Sequence, residues 1–344
     1  MRERRQIVEL WERGDAAVMA TLVRVEGSSY RRTGARLLIA ANGDYAGAIS
    51  GGCLEAEVMR KAGWLVRSGP SVQTYSTLFD DTAEIPYGLG CGGVVHVLLE
   101  PAGTAEFETL MLAMKASLAG ETFSVTTWLP EEGQPFRREI QPGVVNNEAA
   151  QAGDAVFQEV LEPPQRLFVF GAGDDAQPVV RMAALLGWRV IVVDGRAQWA
   201  KSARFPEAEQ VLAGSEGLRV EARDAAVVMT HSYEQDREWL TMLLPHQPCY
   251  LGLLGARHRS ALLASEASVM LGWPLEKVCG RLFAPVGLDL GGDGAEAIAL
   301  AIVAEIQSCV EGKLGRSRRL TPEVIEEQIS LGGASRYLQV QCAL

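Results

Sequence analysis

The chain has no CxxC pair: its six cysteines, Cys53, Cys91, Cys249, Cys279, Cys309 and Cys342, stand 30 or more residues apart. That spacing argues against a zinc knuckle. The start, MRERRQIVELWERG, lacks the apolar centre of a secretory leader, so a disulfide framework is not expected either. Aromatic residues make up only 7%, too few for the platforms on which single-stranded nucleic acid stacks. Basic residues are outnumbered, 32 against 43 acidic, and the net charge of -11 repels phosphate backbones. No apolar run approaches the roughly 18 residues that a membrane span needs. The expectation is a soluble, cytoplasmic protein with no nucleic-acid and no membrane partner.

What is present, 344 residues with 48% apolar, is enough chain for about two domains. RRQIVELWERG sets Ile7, Val8, Leu10 and Trp11 at helical spacing, and Gly14 ends the helix. AAVMATLVRVEG reads as a strand, and ARLLIAANGDYAGAIS as a hairpin turning at Asn42-Gly43. In LEAEVMRKAGWLVRSG the residues Leu54, Val58, Ala62, Leu65 and Val66 share a helical face. A polar stretch follows, then a Gly-rich turn and an apolar strand through Leu99. Residues 1–103 thus read as an α+β domain. Residues 104–164 read as a connecting segment packed on that domain, with a helix in AEFETLMLAMKASLAG, strands in ETFSVTTWL and around FRREI, and Pro163-Pro164 closing it.

Across 165–312 the period changes. RLFVFGAG, WRVIVVDG, AAVVMTHS and CYLGLLGA are short apolar runs separated by helical stretches, the pattern of buried parallel strands. Right-handed crossovers make them a doubly wound sheet. GAEAIALAIVAEIQSCVEG is a last buried helix, left without a good N-cap by Gly292 to Ala295. Residues 313–344 read as a tail with a short helix starting at Thr321-Pro322. The fold class is α/β: an N-terminal α+β domain followed by a Rossmann-like, doubly wound parallel-sheet domain.

Gly171-Ala172-Gly173-Asp174-Asp175-Ala176 follows one predicted strand and opens a helix, and Asp194 ends the next strand. This is the dinucleotide fingerprint in its proper setting. Gly171 and Gly173 permit a tight turn and close approach of a pyrophosphate, and Asp194 suits a ribose hydroxyl pair. Asp174 and Asp175, however, stand where phosphate docks, and their carboxylates already complement the helix dipole. Weak or absent NAD(P) binding is therefore expected, and a turn kept for packing is the alternative reading. His231, Arg257 and Asp289 fall at the carboxyl ends of further strands, where ligands bind in such sheets. They are expected in one pocket facing the Gly171 turn; the alternative for each is a solvated loop residue.

In the first domain, the loop from Gly27 to Arg36 offers Ser28, Ser29, Arg31, Arg32 and Arg36 for holding an anion, or else is a solvated hairpin loop. Gly51-Gly52-Cys53 and Gly90-Cys91-Gly92 each set one thiol where flanking side chains are missing, so something large can approach. Cys53 opens a helix, which lowers a thiol pKa, and thiolates suit soft or high-valent metal centres. A buried, inert thiol is the alternative. Cys249, Cys279 and Cys309 fall in apolar patterns and are expected to be buried and inert.

Taken in order, GSSYRRTGARLLI, GAISGGCLEAEV, YGLGCGG, LFVFGAGDDAQPVV, VVMTHS, YLGLLGARHR and APVGLDLGG resemble the XdhC/CoxI family of xanthine dehydrogenase accessory proteins. The resemblance spans about residues 7 to 310. Asp174 departs from it, since the family often carries His there. The resemblance implies a maturation factor, not an enzyme, that binds a molybdenum cofactor, in molybdopterin or dinucleotide form, as cargo. It implies delivery to a molybdoenzyme of the xanthine dehydrogenase or CO dehydrogenase type, contact with a sulfur-donating enzyme, and a homodimer. Cys53 and Cys91 would then touch molybdenum. The competing reading from the Rossmann crevice is an NAD(P)-dependent oxidoreductase with His231 as acid/base.

Overall fold

The computed structural model describes residues 1–52, 54–76, 93–130, 136–145 and 156–315. Glu3–Pro163 forms one compact unit, and Pro164–Ser317 with Met1–Arg2 forms the other. Among the described residues no helix is long and apolar enough to cross a membrane.

The first unit is built on an antiparallel sheet ordered β3-β2-β1-β5-β4, from β1 (Ala16–Gly27), β2 (Arg36–Ala40), β3 (Tyr45–Gly47), β4 (Ser71–Ser76) and β5 (Gly93–Pro101). Side chains alternate across it, as the strand period requires. Val18, Ala20 and Leu22 face a core shared with α2 (Glu55–Leu65), which contributes Val58 and Ala62. Met19 and Leu38 face a second core made with α1 (Arg2–Glu12) and α3 (Ala105–Ala119). A three-stranded sheet, β7-β6-β8, joins that core through Val125 and Leu161, with β6 spanning Phe123–Trp128, β7 Arg137–Pro142 and β8 Val156–Leu161. The fully buried pair Arg138 and Glu100, 2.7 Å apart, ties the small sheet to the large one. A bulge between Leu22 and Arg24 shifts the register, so that Arg24 pairs with His96 and the ladder ends at Gly27 opposite Gly93.

The second unit carries the parallel sheet in order β11-β10-β9-β12-β13, from β9 (Arg166–Phe170), β10 (Arg189–Val193), β11 (Gln210–Leu212), β12 (Ala225–Val228) and β13 (Tyr250–Leu253). Phe283 adds a parallel bridge beside Gly252. Leu167, Val169, Val190 and Val192 pack under α4 (Ala176–Leu185) and α8 (Ala295–Val310), while Phe168, Phe170, Ile191 and Val193 pack toward α5 (Tyr233–His246), α6 (Arg257–Leu271) and α7 (Leu275–Cys279). Both faces are covered, which is why these strands read as unbroken apolar runs; each large side chain so buried contributes about 1.5–3 kcal/mol. Helix α8 starts at Gly294 with no side-chain cap.

Cys279 corrects an expectation. It ends α7 and is exposed, because only Val278 of that short helix is buried. Cys249 also reaches solvent, although its Sγ donates to the carbonyls of Arg223 and Asp224 at 3.3 and 3.2 Å. Burial nevertheless pushes its thiol up to about 11. Cys309 is partly buried, and burial raises its pKa too.

Candidate functional site

Two places bring predicted residues together, one in each unit. In the first unit the end of the β1–β5 ladder gathers the loops. A Cβ on Gly93 would lie 2.9 Å from Ser28 N and 2.7 Å from Glu26 O, so the Ser28 loop folds directly over bare backbone. The ring of Tyr30 lies 3.5 Å from where a Cβ on Gly51 would stand, at ordinary van der Waals contact. Tyr30 itself is 72% exposed. Ser28, Tyr30, Gly51 and Gly93 thus share one end of the large sheet. Cys53, Gly90, Cys91 and Gly92 lie outside the described residues; their flanks Gly52, Leu54 and Gly93 are described.

The loop before α2 is braced from within. Glu55, the first residue of that helix, is buried, and its Oε1 accepts from Ile49 N at 3.1 Å and Ser50 N at 2.7 Å. Its Oε2 accepts from Ser50 Oγ, and that hydroxyl accepts in turn from Gly52 N at 3.2 Å and Leu54 N at 3.1 Å. Burial alone would push the Glu55 carboxyl up, but the hydrogen bonds from Ser50 and Ile49 outweigh it and hold it below the usual carboxylate range. Gly51 and Gly52 are left exposed at the tip.

The anion-holding reading of the Gly27–Arg36 loop needs correction. Arg31 forms a two-pronged ion pair with Glu3. Arg36 is buried against Glu159 and also donates to Gly34 O at 3.1 Å. Two of the three arginines are therefore engaged in holding the unit together. Arg32 remains exposed, and Ser29 is partly so. Sequence reasoning also passed over His96, whose Nδ1 meets Thr74 Oγ1 at 3.0 Å and whose Nε2 meets Glu26 Oε1 at 3.0 Å. Thr74 faces His96 in the regular β4–β5 ladder, while the bulge in β1 sets Arg24 opposite it on the other side, a shift that alternation alone does not reveal.

In the second unit the sheet order reverses between β9 and β12, and the loops leaving those strands meet there. Gly171 has φ +124°, and a Cβ on it would lie 2.6 Å from the carbonyl carbon of Met229, so no side chain fits. His231, at φ 62° in the left-handed region, places Nε2 2.8 Å from Asp175 Oδ2 and so joins the two loops. Asp174 pairs with Arg204 at 2.7 Å, and the same guanidinium donates to Ala172 O at 2.5 Å. Asp174 and Asp175 thus each have a basic partner of their own.

Asp194 follows β10 directly and is fully buried, and its role differs from the one read in sequence. Oδ2 accepts from Ala172 N at 2.8 Å and Arg196 Nη2 at 2.7 Å, while Oδ1 accepts from Arg196 N and Nε, both at 2.9 Å. Burial works against its charge, but the hydrogen bonds from Arg196 and Ala172 hold the carboxyl below its ordinary range. It clamps the glycine turn and has both oxygens engaged, which leaves a ribose diol little to bind. Arg257 opens α6, and Asp289 lies beyond the Phe283 bridge; both are exposed, and neither is hydrogen-bonded to the Gly171 turn among the described residues. Of the three residues expected in one pocket, His231 is the one hydrogen-bonded to the turn among the described residues. Arg259 instead pairs with the buried Asp236 at 2.5 Å, which in turn holds Thr230 at the end of β12.

The chain matches two family models: the "XdhC and CoxI family" over residues 10–76 and the "XdhC Rossmann domain" over 167–306. It is 31% identical over 321 residues to a protein of Bacillus subtilis named as a probable xanthine dehydrogenase subunit, covering 86% of this chain and 94% of the relative. The chain belongs to the XdhC and CoxI family. A second relative, "Molybdenum cofactor insertion chaperone PaoD" of Escherichia coli, is 26% identical over 312 residues, with 88% of this chain and 86% of the relative covered. A crystal structure of a protein from Bacillus halodurans, described as a xanthine dehydrogenase, superposes with a TM-score of 0.77 at 26% identity, over 94% of this chain and 99% of that one. The glycine-rich loop before α2 falls inside the first matched region and the Gly171 turn inside the second.

Proposed function

We propose that this protein carries a pterin-bound molybdenum cofactor as cargo and delivers it to a molybdoenzyme of the xanthine dehydrogenase or CO dehydrogenase type in the cytoplasm. Membership of the family and the insertion role named for PaoD support a part in molybdoenzyme maturation. The observation that carries the finer reading is the braced loop of the first unit. It exposes the bare peptides of Gly51 and Gly52 directly before Cys53, and a Cβ on Gly52 would meet nothing within 4 Å. A bulky metal-dithiolene group needs that open approach, and a soft thiol is the donor suited to it. Arg32, exposed in the Gly27–Arg36 loop, would supply the charge for a phosphate of the same cargo. The proposed partners include a sulfur-donating enzyme and a second copy of the chain.

The Rossmann unit favours a second reading, an NAD(P)-dependent oxidoreductase. Against it stand the engaged oxygens of Asp194. The test is transfer. Protein loaded with molybdenum cofactor is mixed with a cofactor-free enzyme of the xanthine dehydrogenase type, and recovered activity is compared for wild type, C53S and the C53S/C91S double variant. Wild type is expected to restore activity and the double variant to fail. Equal recovery from both would remove the thiols from the mechanism.

A further inference from the structure

We infer that Ser50 and Glu55 are positioning residues of the cargo loop: they hold the amides of Gly52 and Leu54, the residues on either side of Cys53 in the chain. This rests on the cargo reading above and adds to it the device that makes the loop usable. Such a loop has two conflicting duties. It must bare its backbone, which calls for glycine, yet glycine loses more conformational freedom on ordering than any other residue. Something outside the tip has to fix it.

The hydrogen bonds supply that fixation. Glu55 reaches back from the first residue of α2 and takes three donors from Ile49 and Ser50. Among the described residues Glu55 forms no ion pair, and its carboxylate is hydrogen-bonded into the loop. Ser50 Oγ then donates to Glu55 and accepts from Gly52 N and Leu54 N. Those two amides flank position 53 on either side. Ile49, Ser50, Leu54 and Glu55 are all buried, whereas Gly51 and Gly52 are exposed. The loop is thus a solvent-facing tip on a buried clasp.

The chemistry requires a carboxylate at 55. A glutamine keeps the length and can accept from Ile49 N and Ser50 N. Its Nε2, however, faces Ser50 Oγ as a donor. Two donors would then face each other, and the Ser50 hydroxyl would lose the carboxylate oxygen to which it donates. An aspartate is one methylene too short to reach across the turn.

The test uses the full chain as wild type, S50A, E55Q, E55D and C53S, with circular dichroism and thermal melting to confirm folding. Two readouts follow. One is pterin retained through gel filtration after loading with molybdenum cofactor. The other is the rate at which iodoacetamide alkylates Cys53 in cofactor-free protein, divided by the rate at exposed Cys279 in the same digest. E55Q and S50A are expected to retain at least about tenfold less pterin, the scale seen when a group that orients a metal ligand is lost. The Cys53-to-Cys279 ratio should change several-fold in both, with no rescue by E55D. Wild-type retention and an unchanged ratio in folded E55Q would overturn the inference. If S50A fails to fold, E55Q alone decides. If C53S retains pterin like wild type, the cargo reading loses its thiol, while the alkylation ratio still judges the clasp by itself.

Discussion

Replacing Asp194 should loosen the glycine turn of the second unit far more than a surface substitution would. Asp194→Ala removes four hydrogen bonds at once, to Ala172 N and to three donors of Arg196. Ala172 is fully buried, so its N–H loses its partner with no route to water, a cost of about 1–3 kcal/mol. Removing one member of a buried ion pair typically costs about 3–5 kcal/mol. Arg196 is one-third exposed, at 34%, and can rehydrate, which places the total near the lower end, about 3 kcal/mol. Asp194→Asn retains an oxygen for Ala172 but turns an amide toward Arg196, for a cost of about 2 kcal/mol. The folded-state pKa of Asp194 is depressed, so its contribution is complete above the unfolded value, about 3.9, and disappears as pH falls through the lower folded value. The gap between wild type and variant should therefore stay level from pH 8 to about pH 5 and close in stronger acid. Hydrogen exchange read peptide by peptide is the assay, because it separates residues 164–200 from the sheet of the first unit. Variants whose 164–200 peptides exchange as slowly as wild type, corresponding to less than about 0.5 kcal/mol, would refute the assignment of Asp194 as the clasp of the turn.

Further outcomes follow from single contacts. Gly171→Ala combines a left-handed φ with a clash against the Met229 carbonyl, and should destabilise the second unit by at least about 2 kcal/mol in urea titration; Gly173→Ala meets side chains alone, Asp175 closely and His231 at van der Waals distance, and should cost clearly less. Glu100→Ala strands the buried Arg138 and should lower the stability of the first unit by about 3–5 kcal/mol, measured by denaturation and by loss of exchange protection in β5 and β7. At pH 8, iodoacetamide should modify Cys279 while sparing Cys249, whose pKa near 11 leaves about one thiolate in a thousand; mass spectrometry of a time course reads this directly.

The parallel sheet was legible because burial on both faces removes polar residues from its strands: RLFVF, RVIVV, AAVV and YLGL stand out without any other information. The strands with no clear signature are edges or lie on small sheets. In β4, SVQTYS, only Tyr75 is buried, so the pattern reads as a polar stretch. In β11, Gln210–Leu212, three residues are too few to show a period. β8, VFQEVL, alternates, but it follows an uninformative segment and precedes Pro163-Pro164. At the sites, residue types were easier to read than their engagements. Gly171, Asp194 and Glu55 were all visible as letters, but Arg31 meeting Glu3, Arg36 meeting Glu159 and Arg204 meeting Asp174 are contacts across 28, 123 and 30 positions. No local pattern encodes such pairings. Conversely, the uncapped start of α8 and the acid after β10 were legible because both are local features of the chain.

What occupies the protein in the cell decides between a cofactor carrier and an oxidoreductase. Purifying the full chain from molybdenum-replete cells and measuring molybdenum, oxidised pterin and nicotinamide released on denaturation is the most direct test. Molybdenum and pterin are expected together, in comparable amounts, lost in the C53S/C91S variant, with nicotinamide absent. Stoichiometric nicotinamide without pterin would contradict the cargo role and favour an oxidoreductase.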